Sequence, residues 1–158
     1  MNYFHFSQLF GSTHIGKIRD QIDPYFSRPI KTTAADTEID LTTDQVIPAT
    51  RKIVEDIVSE CYKKSLTCNN YWISISQPGE SVVEHHHQNQ GSTACLSAVL
   101  YVQAEGPCGN LYLKDFDKKF TPKTGDLVVF PSNCVHSVDN NRGECARICV
   151  AFDFVETV

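Results

Sequence analysis

The stretch Tyr71-Trp72-Ile73-Ser74-Ile75-Ser76-Gln77 decides the fold. Its side chains fall into two alternating sets, Tyr71, Ile73 and Ile75 against Trp72, Ser74 and Ser76. Period two in aromatic and β-branched residues marks a strand with one apolar face. Pro78-Gly79 turns the chain. The same period returns in Ser81 to His87, Ala94 to Gln103, Asn110 to Asp115, Asp126 to Phe130, His136 to Val138 and Arg147 to Phe154, with turn residues between. Upstream the pattern differs. From about Pro48 to Leu66, Ile53, Val54, Ile57, Val58, Cys61 and Tyr62 recur at three- and four-residue spacing among charged residues, which predicts an amphipathic helix laid on a sheet. Thr43 and Asp44 are candidate caps, and Pro48 suits a first turn. Tyr3 to Phe10 reads as a short strand, Ile15 to Ile22 as a short helix ended by Pro24, and Ser27 to Thr43 as loop with one edge strand. Many short strands without βαβ alternation predict a mainly β fold, a jelly roll (double-stranded β-helix) with one or two flanking helices. The expected organisation is one domain over residues 1–158, with 1–70 as N-terminal support and 71–158 as the core.

Composition excludes several functions. The 158 residues carry a net charge of -5 and no run of Lys and Arg, so there is no electrostatic case for nucleic acid. Met1 to Phe6 lacks a signal-peptide pattern and no stretch approaches a membrane span, which predicts a cytoplasmic protein with no membrane partner. Seven cysteines without a CxxC pair argue against a disulfide framework or a zinc ribbon. Oligomeric state is not legible.

Four of the six histidines lie in two places, His85-His86-His87 and His136. If Ser81 to His87 is extended, His85 and His87 share one face while Glu84 and His86 share the other. Two imidazoles so spaced suit one metal ion, and His136 is the best third ligand, leaving one side of the ion open. A solvated turn, an incidental zinc site or a purification tag would also give clustered histidines, although tags sit at chain ends. Ser97 and Tyr101 share a strand face, and the Tyr101 hydroxyl is placed to enter the pocket. Arg147 opens an apolar strand, where a guanidinium needs an anionic partner, and its planar fork suits a carboxylate. Trp72 and Tyr112 each either line the pocket or pack on the sheet.

Several elements together carry a resemblance: the pair His85 and His87, then Leu96 to Val102, Gly109-Asn110-Leu111-Tyr112, Gly125 to His136, and Arg147. In order and spacing, Gly79 to Phe154 resembles the Fe(II)/2-oxoglutarate-dependent oxygenases, in the prolyl-hydroxylase-like branch and most closely its small members from phages and marine bacteria. The resemblance implies an oxygenase that couples oxidative decarboxylation of 2-oxoglutarate to oxidation of a substrate. It implies Fe(II) on His85, His87 and His136 as the catalytic centre. The 2-oxoglutarate would sit with its distal carboxylate on Arg147, the Tyr101 hydroxyl as a second donor and Ser97 nearby. The other partners would be O2 and an unidentified small-molecule or peptidyl substrate, in the host cytoplasm if the chain is phage-encoded. Selectivity for that substrate would lie in residues 1–45 and the loops Gln88 to Thr93 and Asp115 to Pro122.

One departure stands out: His87 occupies the place where most relatives have Asp or Glu, which leaves the metal one unit more positive. Two alternatives stay open. Gly79, His85-x-His87, Gly125, Pro131, His136 and Asn140 also resemble the metal motifs of cupins, among which three-histidine dioxygenases work without 2-oxoglutarate. A non-enzymatic jelly roll stabilised by a metal and used for binding is the other. Arg147 and Tyr101 discriminate, because a cupin has no need of an inward arginine.

Overall fold

The computed structural model describes residues 1–26, 46–88 and 93–157. The predicted loop from Ser27 to Thr43, the caps Thr43 and Asp44, and most of the loop from Gln88 to Thr93 therefore lie outside the described residues. After a short strand β1 (Phe4–Phe6) come two helices, α1 (Ser12–Phe26) and α2 (Val46–Tyr62). Strands follow: β2 (Leu66–Ser76), β3 (Val82–His85), β4 (Leu96–Gln103), β5 (Leu111–Leu113), β6 (Lys118–Phe120), β7 (Leu127–Pro131), β8 (His136–Val138) and β9 (Arg147–Glu156). Five of them form a sheet in the order β1-β7-β4-β9-β2, and four form a second in the order β3-β8-β5-β6. Every pairing is antiparallel. Two such sheets with helices on one outer face make the expected jelly roll.

Several boundaries differ from the sequence reading. Helix α1 does not stop at Pro24 but continues to Phe26. A proline removes one backbone donor, and two residues from the end little helix is left to lose. Helix α2 ends at Tyr62, and Leu66, expected at its end, begins β2. Asn69 and Asn70, which look like a break, are a register shift between Cys68 and Asn70 in the pairing of β2 with β9. The border drawn at residue 70 thus falls inside a strand. Asp115 to Pro122, expected as loop, contains a short 3₁₀ turn (Lys114–Phe116) and β6, which pairs with β5.

Strand parity sorts the side chains of the larger sheet into two cores. Ile73 and Ile75, Leu96, Ala98 and Leu100, Leu127 and Val129, and Ile148, Val150, Phe152 and Phe154 pack with Ile15, Ile18, Ile22, Ile47, Val54 and Val58 of the two helices. The opposite parity points between the sheets. There Tyr101, Val128, Phe130 and Cys149 meet Leu111, Leu113, Phe120 and Cys134. Burial of the first set anchors the sheet, and at roughly 1.5–3 kcal/mol per large apolar side chain it dominates the favourable terms. The second set leaves a space toward β3 and β8.

Candidate metal and cosubstrate site

Antiparallel pairing of β3 with β8 sets His85 directly opposite His136. The strand ends there, so His87 is not part of it, and the His87 backbone N–H instead donates to the Ser132 carbonyl at 2.8 Å. That bond turns His87 back toward the other two. Ring centroids lie 4.2 Å apart for His85 and His136, 4.9 Å for His87 and His136, and 5.4 Å for His85 and His87. One nitrogen from each ring falls within 4.8 Å of the others. Glu84 faces away and pairs with Lys114 at 3.1 Å.

Each ring has its Nδ1 engaged. His85 Nδ1 lies 2.9 Å from the Val83 carbonyl, His136 Nδ1 lies 2.9 Å from the Cys134 carbonyl, and His87 Nδ1 lies 2.8 Å from Asp153 Oδ1. Since those oxygens only accept, each Nδ1 carries the proton and each Nε2 is left with a lone pair. Outer hydrogen bonds of this kind fix the tautomer a metal ligand needs. Burial pushes the His136 pKa down to about 3, against an opposing contribution from its bond to the Cys134 carbonyl. Burial lowers His85 as well. Both shifts favour the neutral ring, which is the form able to bind a metal.

A cavity of about 90 Å³ runs from the three histidines past Trp72, Ser74, Val99 and Cys149 to Tyr101 and Arg147. Trp72 lines it, its ring 5.5 Å from that of His87. Tyr112 does not, and its hydroxyl donates to Asp117 at 2.9 Å on the surface. Arg147 is 3% exposed. Its guanidinium donates to Ser76 Oγ at 2.7 Å and to the Cys108 carbonyl at 3.5 Å, and among the described residues it makes no ion pair. Tyr101 is 2% exposed, and its hydroxyl has no hydrogen-bond partner among the described residues. Burial pushes its pKa well up, so it remains a donor. Burial also pushes the Cys149 thiol up to about 11, which keeps it uncharged beside the guanidinium. A wider depression of about 590 Å³, bounded by Pro107, Lys119, Asp139 and Arg142, holds no histidine or cysteine, and Lys119 there lies 3.5 Å from Asp139.

Ser97 takes a different place from Tyr101. It is fully buried behind His87, donating to Asp153 Oδ1 at 2.6 Å, with Ser132 Oγ at 3.0 Å and His87 Nδ1 at 2.9 Å. It lines no part of the cavity.

The stretch 117–153, which contains both His136 and Arg147, matches the family model described as "Putative 2OG-Fe(II) oxygenase". That stretch is less than a quarter of the chain. His85 and His87 lie ahead of the matched residues. Solved structures share the fold of this chain across nearly its whole length. A viral collagen prolyl hydroxylase from Paramecium Bursaria Chlorella virus-1, in complex with 2OG, is similar over 98% of this chain and 96% of its own, with a TM-score of 0.79 and 12% identity. A Pseudomonas putida prolyl-4-hydroxylase is similar over 99% and 93%, with a TM-score of 0.73 and 16% identity. HygX from Streptomyces hygroscopicus, with nickel and 2-oxoglutarate bound, is similar over 98% and 83%, with a TM-score of 0.74 and 11% identity. No curated protein matches significantly in sequence.

The residues of the site fit iron and 2-oxoglutarate. Three oriented imidazole lone pairs suit a divalent ion with open positions, and the unpaired guanidinium at the far end of the cavity suits a carboxylate. Three functional neighbours escaped the sequence reading: Ser76, Ser132 and above all Asp153. The signal for Asp153 was present in its parity, since it lies six residues beyond Arg147 on the same strand face, flanked by Phe152 and Phe154.

Proposed function

We propose that this chain is an oxygenase that binds Fe(II) through His85, His87 and His136 and binds 2-oxoglutarate between that centre and Arg147. The observation that carries the reading is the buried, unpaired Arg147 in the same cavity as three convergent imidazoles. An uncompensated guanidinium in a protein interior is costly, and a dianionic ligand offsets that cost. A three-histidine cupin or a metal-stabilised binding module has no use for it.

When bound, iron and 2-oxoglutarate supply the oxidising chemistry, in which 2-oxoglutarate and O2 give succinate, CO2 and an oxidised substrate. The chain holds and orients. His85, His87 and His136 present Nε2 on one side of the metal position. Arg147 would hold the distal carboxylate and the Tyr101 hydroxyl would be a second donor to it, while Ser76 Oγ accepts from the guanidinium and keeps it in place. Apolar Val99, Leu111 and Val138 along the cavity exclude water. Ser97 supports His87 and does not contact the cosubstrate. Residues 1–70 support the sheet, and the chain acts as one unit.

The primary substrate is a small molecule or a peptidyl group that enters on the side of Trp72, whose half-buried ring offers a stacking surface next to His87. Among the described residues no helix is long and apolar enough to cross a membrane. Seven free cysteines suit the reducing cytoplasm in which we place the protein.

The test is anaerobic titration of the Fe(II)-loaded protein with 2-oxoglutarate, following the visible charge-transfer band of the chelate. Arg147→Ala is expected to weaken cosubstrate binding at least about 30-fold, the low end of the roughly 2–5 kcal/mol lost when one partner of a buried charge pair is removed. Iron bound without any band in the parent would turn the assignment to the cupin type.

A further inference from the structure

His87 is the ligand that sets this chain apart, and its environment differs from that of the other two. His85 and His136 lean on neutral backbone carbonyls, whereas the Nδ1 of His87 lies 2.8 Å from a carboxylate oxygen of Asp153. Asp153 is 8% exposed, and among the described residues its only ion-pair partner is His87. Its Oδ1 also accepts the Ser97 hydroxyl at 2.6 Å. Ser97 in turn lies 3.0 Å from Ser132 Oγ, and Ser132 is the residue whose carbonyl holds the His87 backbone. Asp153, Ser97 and Ser132 therefore converge on one imidazole from three strands or strand ends.

We infer that Asp153 is a positioning residue that supplies, through the imidazole of His87, the negative charge that a directly bound carboxylate supplies in a two-histidine-one-carboxylate site. The inference rests on the functional reading above, since it takes His87 to bind the metal through Nε2. A buried carboxylate with no Lys or Arg beside it is poorly compensated. A metal-bound imidazolium-like N–H pointing at Asp153 compensates it. Three neutral imidazoles plus one carboxylate carry the same formal charge as two imidazoles plus one carboxylate. The charge has moved out by one ring, and carboxylate–histidine–metal arrays are known to raise ligand basicity in that way. The side chain at position 87 is thus longer than Asp, and the carboxylate stands on β9 behind it.

The experiment compares the parent with Asp153→Asn and Ser97→Ala, titrating the metal-free proteins with Co(II) by calorimetry. Asp153→Asn is expected to bind Co(II) about 10- to 100-fold more weakly, because the amide cannot return the charge, and Ser97→Ala more weakly by a smaller factor. Circular dichroism of each variant checks that it folds. The parent loaded with Zn(II) gives a second measurement that needs no variant. Nitrogen-15 correlation spectra of the imidazoles should show His87 protonated at Nδ1, metal-bound at Nε2, and carrying the most downfield, most slowly exchanging N–H of the three. A purely structural Asp153 would move neither reading. Unchanged Co(II) affinity in folded Asp153→Asn, or a His87 N–H no different from those of His85 and His136, overturns the inference. A parent that binds Co(II) but never 2-oxoglutarate would instead sink the oxygenase assignment and leave this one standing. A parent that binds no metal would sink both.

Discussion

Gly109 makes the room in which Arg147 lies. Its φ of +104° is one that residues with a side chain rarely adopt, and a Cβ there would run into the Asp139 carbonyl and stand 3.0 Å from Arg147 Nη1. Gly109→Ala is therefore expected to destabilise the protein by about 1–3 kcal/mol, in denaturant melts, and to weaken 2-oxoglutarate binding as well. A stability loss with unchanged cosubstrate affinity would mean that Arg147 does not depend on this glycine. At this scale most of the candidate site was legible. Two histidines at i and i+2, a lone arginine opening an apolar strand, and Tyr101 at the right parity are chemical oddities that a sequence displays. Ser97 shares its strand face with Tyr101 but lies beside His87 and Asp153 rather than along the cavity, because parity gives the face of a strand and not the depth along a pocket. Asp153 was hidden by habit of pattern: within Val150-Ala151-Phe152-Asp153-Phe154 it reads as the ordinary polar member of an alternation, and only the opposing β3 loop reveals that its face is an interior one.

At the scale of elements, one buried carboxylate braces the edge strand β1 and the turn after it, beside the pairing of β1 with β7. Asp126 precedes β7 and is 2% exposed. Its Oδ1 accepts the Gln8 backbone N–H at 2.7 Å, and its Oδ2 accepts the Lys123 backbone N–H at 3.0 Å and lies 3.3 Å from His5 Nε2. Gln8 sits at a φ of +47°, so this bond also holds a left-handed residue in the turn after β1. Asp126→Asn has one acceptor oxygen where two are used, and should cost about 1–3 kcal/mol in denaturant unfolding. On β9, Phe154 is fully buried against the helices, and Phe154→Ala should cost about 3–5 kcal/mol. An equally stable variant in either case would contradict the packing described. The strands were legible because period two is a strong signal wherever one face is covered. Their ends were less so. Whether β2 begins at Leu66 or Tyr71 depends on a bulge opposite β9, and β6 exists because β5 is there to pair with it, so neither is a property of the local sequence.

For the molecule as a whole, burial of the candidate ligand histidines couples stability to pH, and burial also sets the sign. In the unfolded chain an imidazole takes up a proton below about pH 6.5, whereas folded His136 stays neutral down to about 3. Between those values the unfolded state binds more protons, so stability falls as pH falls. His136 alone contributes a slope approaching about 1.4 kcal/mol per pH unit. His85 and His14, both lowered first by burial, act in the same direction. Metal-free protein should therefore lose at least about 1.4 kcal/mol between pH 7.5 and 5.5 in urea titrations, and His136→Gln should lose less over the same interval whatever its absolute stability. Equal slopes in the two proteins would show that His136 is not held neutral by the fold. The same burial bears on metal loading. Protons displace a metal only when they can occupy the ligand nitrogens, so two rings that resist protonation keep the site competent below the pH at which free imidazole would release its metal. A core that destabilises the empty protein in acid is thus the core that protects the filled one, and the two titrations, with and without metal, should diverge as the pH is lowered.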